Sequence, residues 1–227
     1  PDEVNEGYRL ACQTRVIADT EIMLAPPRSE GGHKILGAGD AAAQQCGMTI
    51  DSGIEKKFIT AAIPIDEHDQ TSDIEEILTA TGLSISGPLS TELFRKLPAV
   101  LRDQRGAVTV TTFNDAVLDI EAGDTSDHKY GMAFDIGTTS IVGTLIDLDS
   151  GEQLAAVGDV NPQAVYGGDL MSRLAYAQFD LAALRKLRAR AVQAINGHIK
   201  EACEKADNSP DHIYKVVVVG NTAMHHI

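Results

Sequence analysis

The chain has 227 residues, a formal net charge of −14 and 43% hydrophobic residues, which is enough for one or two domains with apolar cores. This acidity argues against a nucleic-acid-binding protein, and the lack of any run of 18 apolar residues argues against a membrane span. Cys12, Cys46 and Cys203 lie far apart and cannot form a disulfide framework, so we expect a reducing, cytoplasmic location.

Residues 1–25 contain a cysteine in an informative context. The segment 7–16 reads GYRLACQTRV, and a short alternating stretch that predicts a strand follows it. Taken alone, Cys12 would be an ordinary buried apolar residue. The segment is similar to the end of a plant-type [2Fe–2S] ferredoxin domain, in which the fourth cysteine ligand precedes the last strand. The resemblance implies that Cys12 ligates iron and that three further cysteines precede Pro1.

The next two segments predict a linker and a small domain. Proline, glycine and alanine dominate residues 26–53, which is typical of a linker. Residues 54–128 alternate strand and helix patterns and predict a small α+β domain without catalytic spacing. The predicted elements are a strand at 57–65, a helix between Ser72 and Gly82, a helix at 90–102, and strands at 107–113 and 116–120. Ser72 with Glu75 fits a capping box, and Pro98 is expected to kink or divide the second helix.

Residues 129–227 open with the most informative stretch of the chain. The apolar runs 132–136, 141–146 and 153–157 predict three strands in a meander. Between the first two strands stand Gly137, Thr138, Thr139 and Ser140. Hydroxyls and closely spaced N–H groups in such a turn can bind phosphate oxygens, and Asp135 at the strand end can hold hydrated Mg²⁺ or orient a water. An ordinary hairpin with a polar turn is the alternative.

Two polar segments separate the meander from a long helix. The first is the sequence NPQ at 161–163, and the second is GGDLMSRL at 167–174. Asp169 is a good N-cap for a helix, and the two glycines before it let the backbone approach a ligand or another chain closely. Apolar residues at three- and four-residue steps between 181 and 202 then predict the long helix.

The last segment predicts a buried strand with polar residues at its end. The run 215–220 is apolar on both faces, which predicts a strand inside a sheet covered by helices. Asn221 and Thr222 follow directly, and because α/β sheets bind ligands beyond the carboxyl ends of strands, we expect them to face a nucleotide. Because the chain begins at Pro1 and ends at Ile227 just after this strand, we expect it to be a piece of a longer protein.

The motifs resemble those of known ATP-binding proteins. The stretch 131–143 is similar to the first phosphate motif of the acetate kinase, sugar kinase, Hsp70 and actin (ASKHA) superfamily. The segments 7–16, 131–143, 161–174 and 216–226 together resemble the ATP-dependent reductive activators of corrinoid proteins. Each segment alone is a weak or moderate signal, but their order and spacing together are specific.

The resemblance implies an α/β and α+β multidomain fold. Residues 1–25 would be the end of a ferredoxin-like domain, and residues 26–53 a linker. Residues 54–128 would form a small α+β middle domain that acts as a spacer or dimerisation module. Residues 129–227 would be the first part of an actin-, Hsp70- and sugar-kinase-like (RNase H-like) ATP-binding domain.

The resemblance also implies a function. Members of the family use ATP to drive one electron from a [2Fe–2S] cluster to an inactive Co(II) corrinoid, which yields Co(I). For this chain it implies a corrinoid protein as partner and ATP with Mg²⁺ as cofactor, and it allows a homodimer. Asp135 would orient Mg²⁺ or water. The nucleotide-binding set would be Gly137, Thr138, Thr139, Ser140, Asn221 and Thr222, and the metal ligand would be Cys12.

Two other functions stay open at this point. A small-molecule kinase of the same superfamily accounts for residues 135–140 but not for the cysteine segment at 7–16. A non-enzymatic, ATP-binding interaction module is the other. Because the second phosphate motif and the adenosine-binding loops are not in this sequence, we expect the chain alone to be inactive and to bind ATP poorly.

Overall fold

The structure is a computed structural model that describes residues 14–15, 17–19, 21, 50–63, 71–83, 89–178 and 180–227. The chain divides into two compact units, 1–36 and 37–227, and the elements below belong to the second. Cys12 and most of the predicted linker at 26–53 lie outside the described residues. The elements are β1 (Ile54–Thr60), α1 (Asp73–Thr81), α2 (Thr91–Asp103), β2 (Ala107–Phe113), β3 (Ala116–Ala122), β4 (Tyr130–Ile136), β5 (Ser140–Asp147), β6 (Gln153–Val160), a 3₁₀ helix (Pro162–Tyr166), α3 (Leu170–Ala177), α4 (Leu181–Lys205), a 3₁₀ turn (Pro210–His212), β7 (Ile213–Gly220) and α5 (Thr222–His226).

The first sheet is antiparallel, with strand order β1-β2-β3, and α1 and α2 pack on it. Its core is apolar and includes Ile59, Ile77, Leu93, Leu97, Leu101, Val108, Val110 and Ile120. The strand predicted at 107–113 is confirmed. The strand predicted at 57–65 is displaced, because β1 begins at Ile54 and leaves the ladder after Thr60, where the Ala61 N–H donates to the Gly106 carbonyl at 2.9 Å.

The predicted capping box of α1 is confirmed. The Ser72 hydroxyl accepts from the Glu75 N–H, the Glu75 carboxylate accepts from the Ser72 N–H at 2.9 Å, and Gly82 ends the helix with a φ of 73°. These contacts satisfy backbone donors that the first turn leaves without a helical partner.

Replacement of Ser72 by alanine tests the energetic value of this cap. Ser72→Ala should lower the free energy of unfolding by about 1 kcal/mol, because the first turn loses an acceptor for its N–H groups. Urea denaturation followed by circular dichroism measures the loss. Thr79→Ala, at an exposed position inside the same helix, should change stability by less than about 0.5 kcal/mol. Equal losses in the two variants would contradict a capping role.

Pro98 does not divide α2, which runs without interruption from Thr91 to Asp103. A proline removes the hydrogen bond to the carbonyl four residues earlier, here that of Phe94. The Phe94 side chain is 49% exposed, so this carbonyl lies on the solvent side of the helix, where water can replace the lost donor. The buried face of the helix carries Leu93, Leu97 and Leu101.

The second sheet contains the predicted three-stranded meander. Its strand order is β6-β5-β4-β7, in which β4, β5 and β6 are antiparallel neighbours and β7 runs parallel to β4. The helix α4 packs across β5 and β6. The core between them includes Tyr130, Met132, Phe134, Ile141, Leu145, Val157, Ala202 and Cys203.

β7 differs from its prediction. It pairs in parallel with β4, but it is the last strand of the described sheet, and each residue from Val216 to Val219 is 44–54% exposed. The prediction that helices cover both of its faces is therefore wrong for the part of the chain that the structure describes. A continuous apolar run shows that a strand is suited to burial on both faces, but it does not show which elements bury it.

A cluster of polar side chains joins the two sheets. We call it the inter-sheet cluster; its members are Lys56, Thr111, Glu121, Thr125 and Tyr214. The Lys56 ammonium donates to the Glu121 carboxylate at 3.0 Å and to the Tyr214 hydroxyl at 2.8 Å. The Tyr214 hydroxyl donates to the other carboxylate oxygen at 2.6 Å. The Lys56 side chain is only 1% exposed, so this ion pair is shielded from water.

Candidate functional site

The predicted turn lies at the edge of the second sheet where two parallel strands end. Ile136 at the end of β4 pairs with Gly220 at the end of β7. The Asn221 side-chain amide donates to the Thr138 hydroxyl at 3.2 Å. The structure therefore brings together Asp135, the turn and Asn221, although 83 residues separate Asn221 from Thr138 in the sequence.

The turn between β4 and β5 is closed by one backbone hydrogen bond. The Gly137 N–H donates to the Ser140 carbonyl at 2.9 Å, and a β-carbon at position 137 would lie 2.9 Å from that oxygen. Within the described part of the chain, the N–H groups of Thr138 and Thr139 donate no hydrogen bond. Two consecutive unpaired N–H groups next to a glycine form the kind of surface that binds an oxyanion.

Asp135 is exposed and lies between Val142 of β5 and Val219 of β7 in the strand register. Among the described residues, its carboxylate has no hydrogen-bond or ion-pair partner. It therefore keeps its full capacity to accept hydrogen bonds from a water or to approach a hydrated Mg²⁺, so its chemistry fits that ion.

Asn221 and Thr222 occupy different environments. Asn221 caps α5, because its side-chain oxygen accepts from the Met224 N–H at 3.1 Å while its NH₂ group contacts Thr138. Both ends of this side chain thus hold the turn and α5 together. Thr222 is the exposed first residue of α5.

A buried set of side chains braces the turn from behind, and the sequence did not reveal it. We call it the loop brace; it consists of Asn161, Gln163 and Arg173. The Asn161 side-chain amide donates to the Gly137 carbonyl at 2.8 Å, and the Asn161 backbone N–H donates to the Thr139 carbonyl at 2.8 Å. Asn161 is 0% exposed and Gln163 is 1% exposed. The brace therefore holds the carbonyls of Gly137 and Thr139 from the protein interior.

Arg173 is the charged member of the loop brace and is 0% exposed. Its Nε donates to the Gly167 carbonyl at 2.8 Å, and its Nη1 donates to the Gln163 side-chain oxygen at 3.3 Å. Among the described residues, its Nη2 is buried without a hydrogen-bond partner. Burial lowers the pKa of the guanidinium, although Asp169 opposes this effect. The sequence singles out the segment 167–174, but nothing in it distinguishes Arg173 from an exposed arginine.

A second concave feature lies between α4 and α5. It is an open pocket of about 480 Å³ lined mainly by Leu181, Leu184, Arg185, Arg188, His225 and His226. Both arginines and both histidines are exposed. This pocket contains none of the site residues that the sequence predicted.

The predicted iron ligand Cys12 lies outside the described residues, and so does Cys46. Among the residues that are described, no group of three or more His, Cys, Asp or Glu side chains is arranged to hold a metal ion. Cys203 is a free thiol buried in the core, and burial raises its pKa, as expected for a structural cysteine. No helix in the described part of the chain is long and apolar enough to cross a membrane.

Comparison with known proteins gives consistent matches. A family model of the RACo linker region matches residues 43–127, and a model of the RACo middle region matches residues 130–227. The corrinoid activation enzyme RamQ of Eubacterium limosum is 40% identical over 98 residues, which are 43% of this chain and 16% of that protein. A solved structure described as a reductive activator for corrinoid, iron–sulfur protein is 29% identical with a TM-score of 0.61, covering 79% of this chain and 30% of that one.

The two-sheet α/β architecture is similar to that of this solved reductive activator over 79% of the chain. The chain belongs to the RACo-type family of reductive activators and carries its linker and middle regions. The chain spans less than a third of the length of the relatives it matches. The matches favour neither the small-molecule kinase nor the interaction module that the sequence left open.

Proposed function

We propose that this chain is part of an enzyme that reactivates a corrinoid protein by ATP-dependent, one-electron reduction of Co(II) to Co(I). The names of the relatives, a corrinoid activation enzyme and a reductive activator, support the reaction class. The electron would come from a [2Fe–2S] cluster to which Cys12 contributes one ligand, as the ferredoxin-like segment implies. A corrinoid protein as partner, a cytoplasmic location and a homodimeric assembly complete the proposal.

One observation supports the nucleotide role of the turn: the contact between Asn221 and Thr138. It places the end of β7 beside the Thr138 and Thr139 N–H groups, which donate no hydrogen bond within the described residues, at the edge of the sheet where α/β proteins bind ligands. In the proposal the backbone of the turn holds phosphate oxygens, with support from Ser140 and Thr222. Asp135 orients Mg²⁺ or a water beside them.

The energetic logic is coupling between nucleotide state and electron transfer. For one electron, about 59 mV corresponds to a tenfold change in equilibrium constant. To overcome a difference in reduction potential of a few hundred millivolts between the cluster and the corrinoid, the equilibrium constant for electron transfer must therefore change by several factors of ten. ATP supplies this if the conformation that it favours binds the Co(I) form of the corrinoid protein more tightly, relative to the Co(II) form, than the ATP-free conformation does.

Substitution of Asp135 tests the proposed catalytic role. In the full-length activator, Asp135→Asn should slow ATP-dependent formation of Co(I) by about 100-fold or more, because the neutral amide no longer attracts Mg²⁺ or accepts a proton. The absorption spectrum of the corrinoid protein measures the rate. Asp127→Asn, an exposed carboxylate in the loop before β4, is the matched control and should leave the rate unchanged. A wild-type rate in Asp135→Asn would overturn the role of Asp135, and no ATP-dependent Co(I) in the wild type would overturn the function.

A further inference from the structure

The guanidinium of Arg173 is a buried positive charge without a counter-ion in the described part of the chain. No described carboxylate lies within ion-pair distance, and the Nη2 atom has no hydrogen-bond partner. The charge that acts on it most directly is that of Asp169, which is exposed and whose carboxylate accepts from the Ser172 N–H at 2.9 Å. An uncompensated buried charge is strongly unfavourable, so its presence calls for a compensating anion.

The guanidinium connects to the turn through shared atoms. Arg173 Nη1 lies 3.3 Å from the Gln163 side-chain oxygen, and the same oxygen lies 3.3 Å from the Asn161 side-chain nitrogen. That nitrogen lies 2.8 Å from the Gly137 carbonyl oxygen. The positive charge is therefore within roughly 9 Å of the turn, which is less than one Debye length at 0.1 M salt. Because the contacts of Gln163 with Arg173 and Asn161 are buried and only the contact with Gly137 is part-buried, water screens the charge only weakly.

An anion held on the outer side of the turn would meet both the unpaired N–H groups and the field of this charge. The N–H groups of Thr138 and Thr139, which donate no hydrogen bond within the described residues, would supply direct contacts. The loop brace supplies a fixed backbone geometry from the other side, and its guanidinium supplies a positive potential that needs no reorganisation when the anion arrives.

We propose that Arg173 is a positioning residue that raises the affinity of the turn at 137–140 for an oxyanion of the phosphate class. It acts through Gln163 and Asn161 and through its field, without contact with the anion. The inference rests on the proposed phosphate role of the turn and adds a buried charge as the source of part of its affinity.

A structural role and an electrostatic role make different demands on the side chain. Suppose that Arg173 only fills space and donates to Gly167 and Gln163. Lysine and glutamine should then weaken anion binding equally, since neither reproduces the planar set of N–H donors of the guanidinium. If the charge matters, lysine should preserve anion binding that glutamine loses.

The test is a titration of the full-length activator with inorganic pyrophosphate, followed by the amide NMR shifts of Thr138 and Thr139. Arg173→Gln should weaken binding by about tenfold, and Arg173→Lys by less than about threefold. Arg190→Gln removes an exposed arginine of α4 and should bind as the wild type does. Gln163→Glu places a carboxylate against the guanidinium and should weaken binding about tenfold while Arg173 stays in place, which covers the case in which Arg173→Gln does not fold.

Wild-type affinity in Arg173→Gln or in Gln163→Glu would overturn the inference, as would equal losses in the lysine and glutamine variants. Absence of pyrophosphate-dependent shifts at Thr138 and Thr139 in the wild type would also overturn it. The outcome is separable from that of the proposed function. If pyrophosphate binds the turn but the affinity does not depend on Arg173, only this inference is contradicted. If the affinity depends on Arg173 but ATP does not drive Co(I) formation, the proposed function is contradicted and this inference is supported.

Discussion

Glu121→Gln should destabilise the folded chain by about 3 kcal/mol or more, the largest stability effect that we expect from a single substitution of a described polar residue. The change removes one partner of a buried ion pair and leaves the Lys56 ammonium, 1% exposed, without its counter-charge. It also weakens the acceptor for Tyr214. Urea denaturation of wild type and variant at neutral pH measures the difference.

A half-exposed ion pair on the same strand provides the control. Asp119 of β3 pairs with Lys96, and both side chains are more than a quarter exposed. Asp119→Asn should therefore change the free energy of unfolding by less than about 1 kcal/mol. If the two variants lose the same stability, burial does not strengthen the Lys56–Glu121 pair. The inter-sheet cluster then does not stabilise the contact between the two sheets.

The pH dependence gives the Glu121 prediction a second readout. Burial alone would raise the pKa of Glu121, but hydrogen bonds from Thr125, Tyr214, Lys56 and Thr111 outweigh it and hold the pKa below 4.5. At Lys56 the balance is reversed, and burial lowers the pKa despite the pairing. Glu121 binds its proton more readily in the unfolded state than in the folded state. Its contribution to the free energy of unfolding is therefore present above pH 4.5 and is lost as the pH falls through the folded-state pKa. The stability gap between wild type and Glu121→Gln should therefore narrow in acid.

Asn161→Ala should have the largest effect on the turn. The substitution removes the donor to the part-buried Gly137 carbonyl and the acceptor for the Gln163 N–H, which it leaves buried without a partner among the described residues. We expect a loss of about 1–3 kcal/mol in stability and, in the full-length activator, a fall of about tenfold or more in nucleotide affinity, because the turn is no longer held in one conformation. Thermal unfolding and isothermal titration with Mg·ATP measure the two effects.

The matched control for this prediction is Asn196→Ala. Asn196 is exposed on α4, so the same chemical change should leave both stability and nucleotide affinity close to the wild type. If Asn161→Ala keeps wild-type nucleotide affinity while it loses stability, the loop brace supports the fold but does not position the turn.

Elements governed by local signals were predictable from the sequence. The capping box of Ser72, the strand Ala107–Phe113 and the strands on either side of Gly137 follow from side-chain periodicity and turn chemistry over a few residues. The long helix was also predicted, and its N-cap Asp180 adds a start signal. Local propensity and the final packing agree at all these positions.

Features that depend on distant partners were not predictable. Lys56 and Glu121 are 65 residues apart, and each reads alone as an ordinary surface charge. Arg173 is buried because Gly167 and Gln163 accept its hydrogen bonds, which no sequence period indicates. The exposure of Val216–Val219 is the opposite case, because a continuous apolar run predicts covering elements that the described part of the chain does not contain.

Part of the candidate site was predictable and part was not. The resemblance picked out Asp135 and the turn that follows it, and the structure places the predicted residue Asn221 against that turn. The loop brace escaped prediction because asparagine, glutamine and arginine in a polar segment more often lie at the surface. Only the tertiary structure shows that the segment 161–173 folds back beneath the turn.

The proposed role of the turn after Asp135 is to bind the phosphates of a nucleotide. The most direct test is the amide NMR spectrum of the full-length activator, selectively labelled at threonine, on addition of Mg·ATP. We expect the amide resonances of Thr138 and Thr139 to shift more than those of the other described threonines, because their N–H groups gain acceptors. Unchanged resonances at both positions, while ATP binds, would contradict this role.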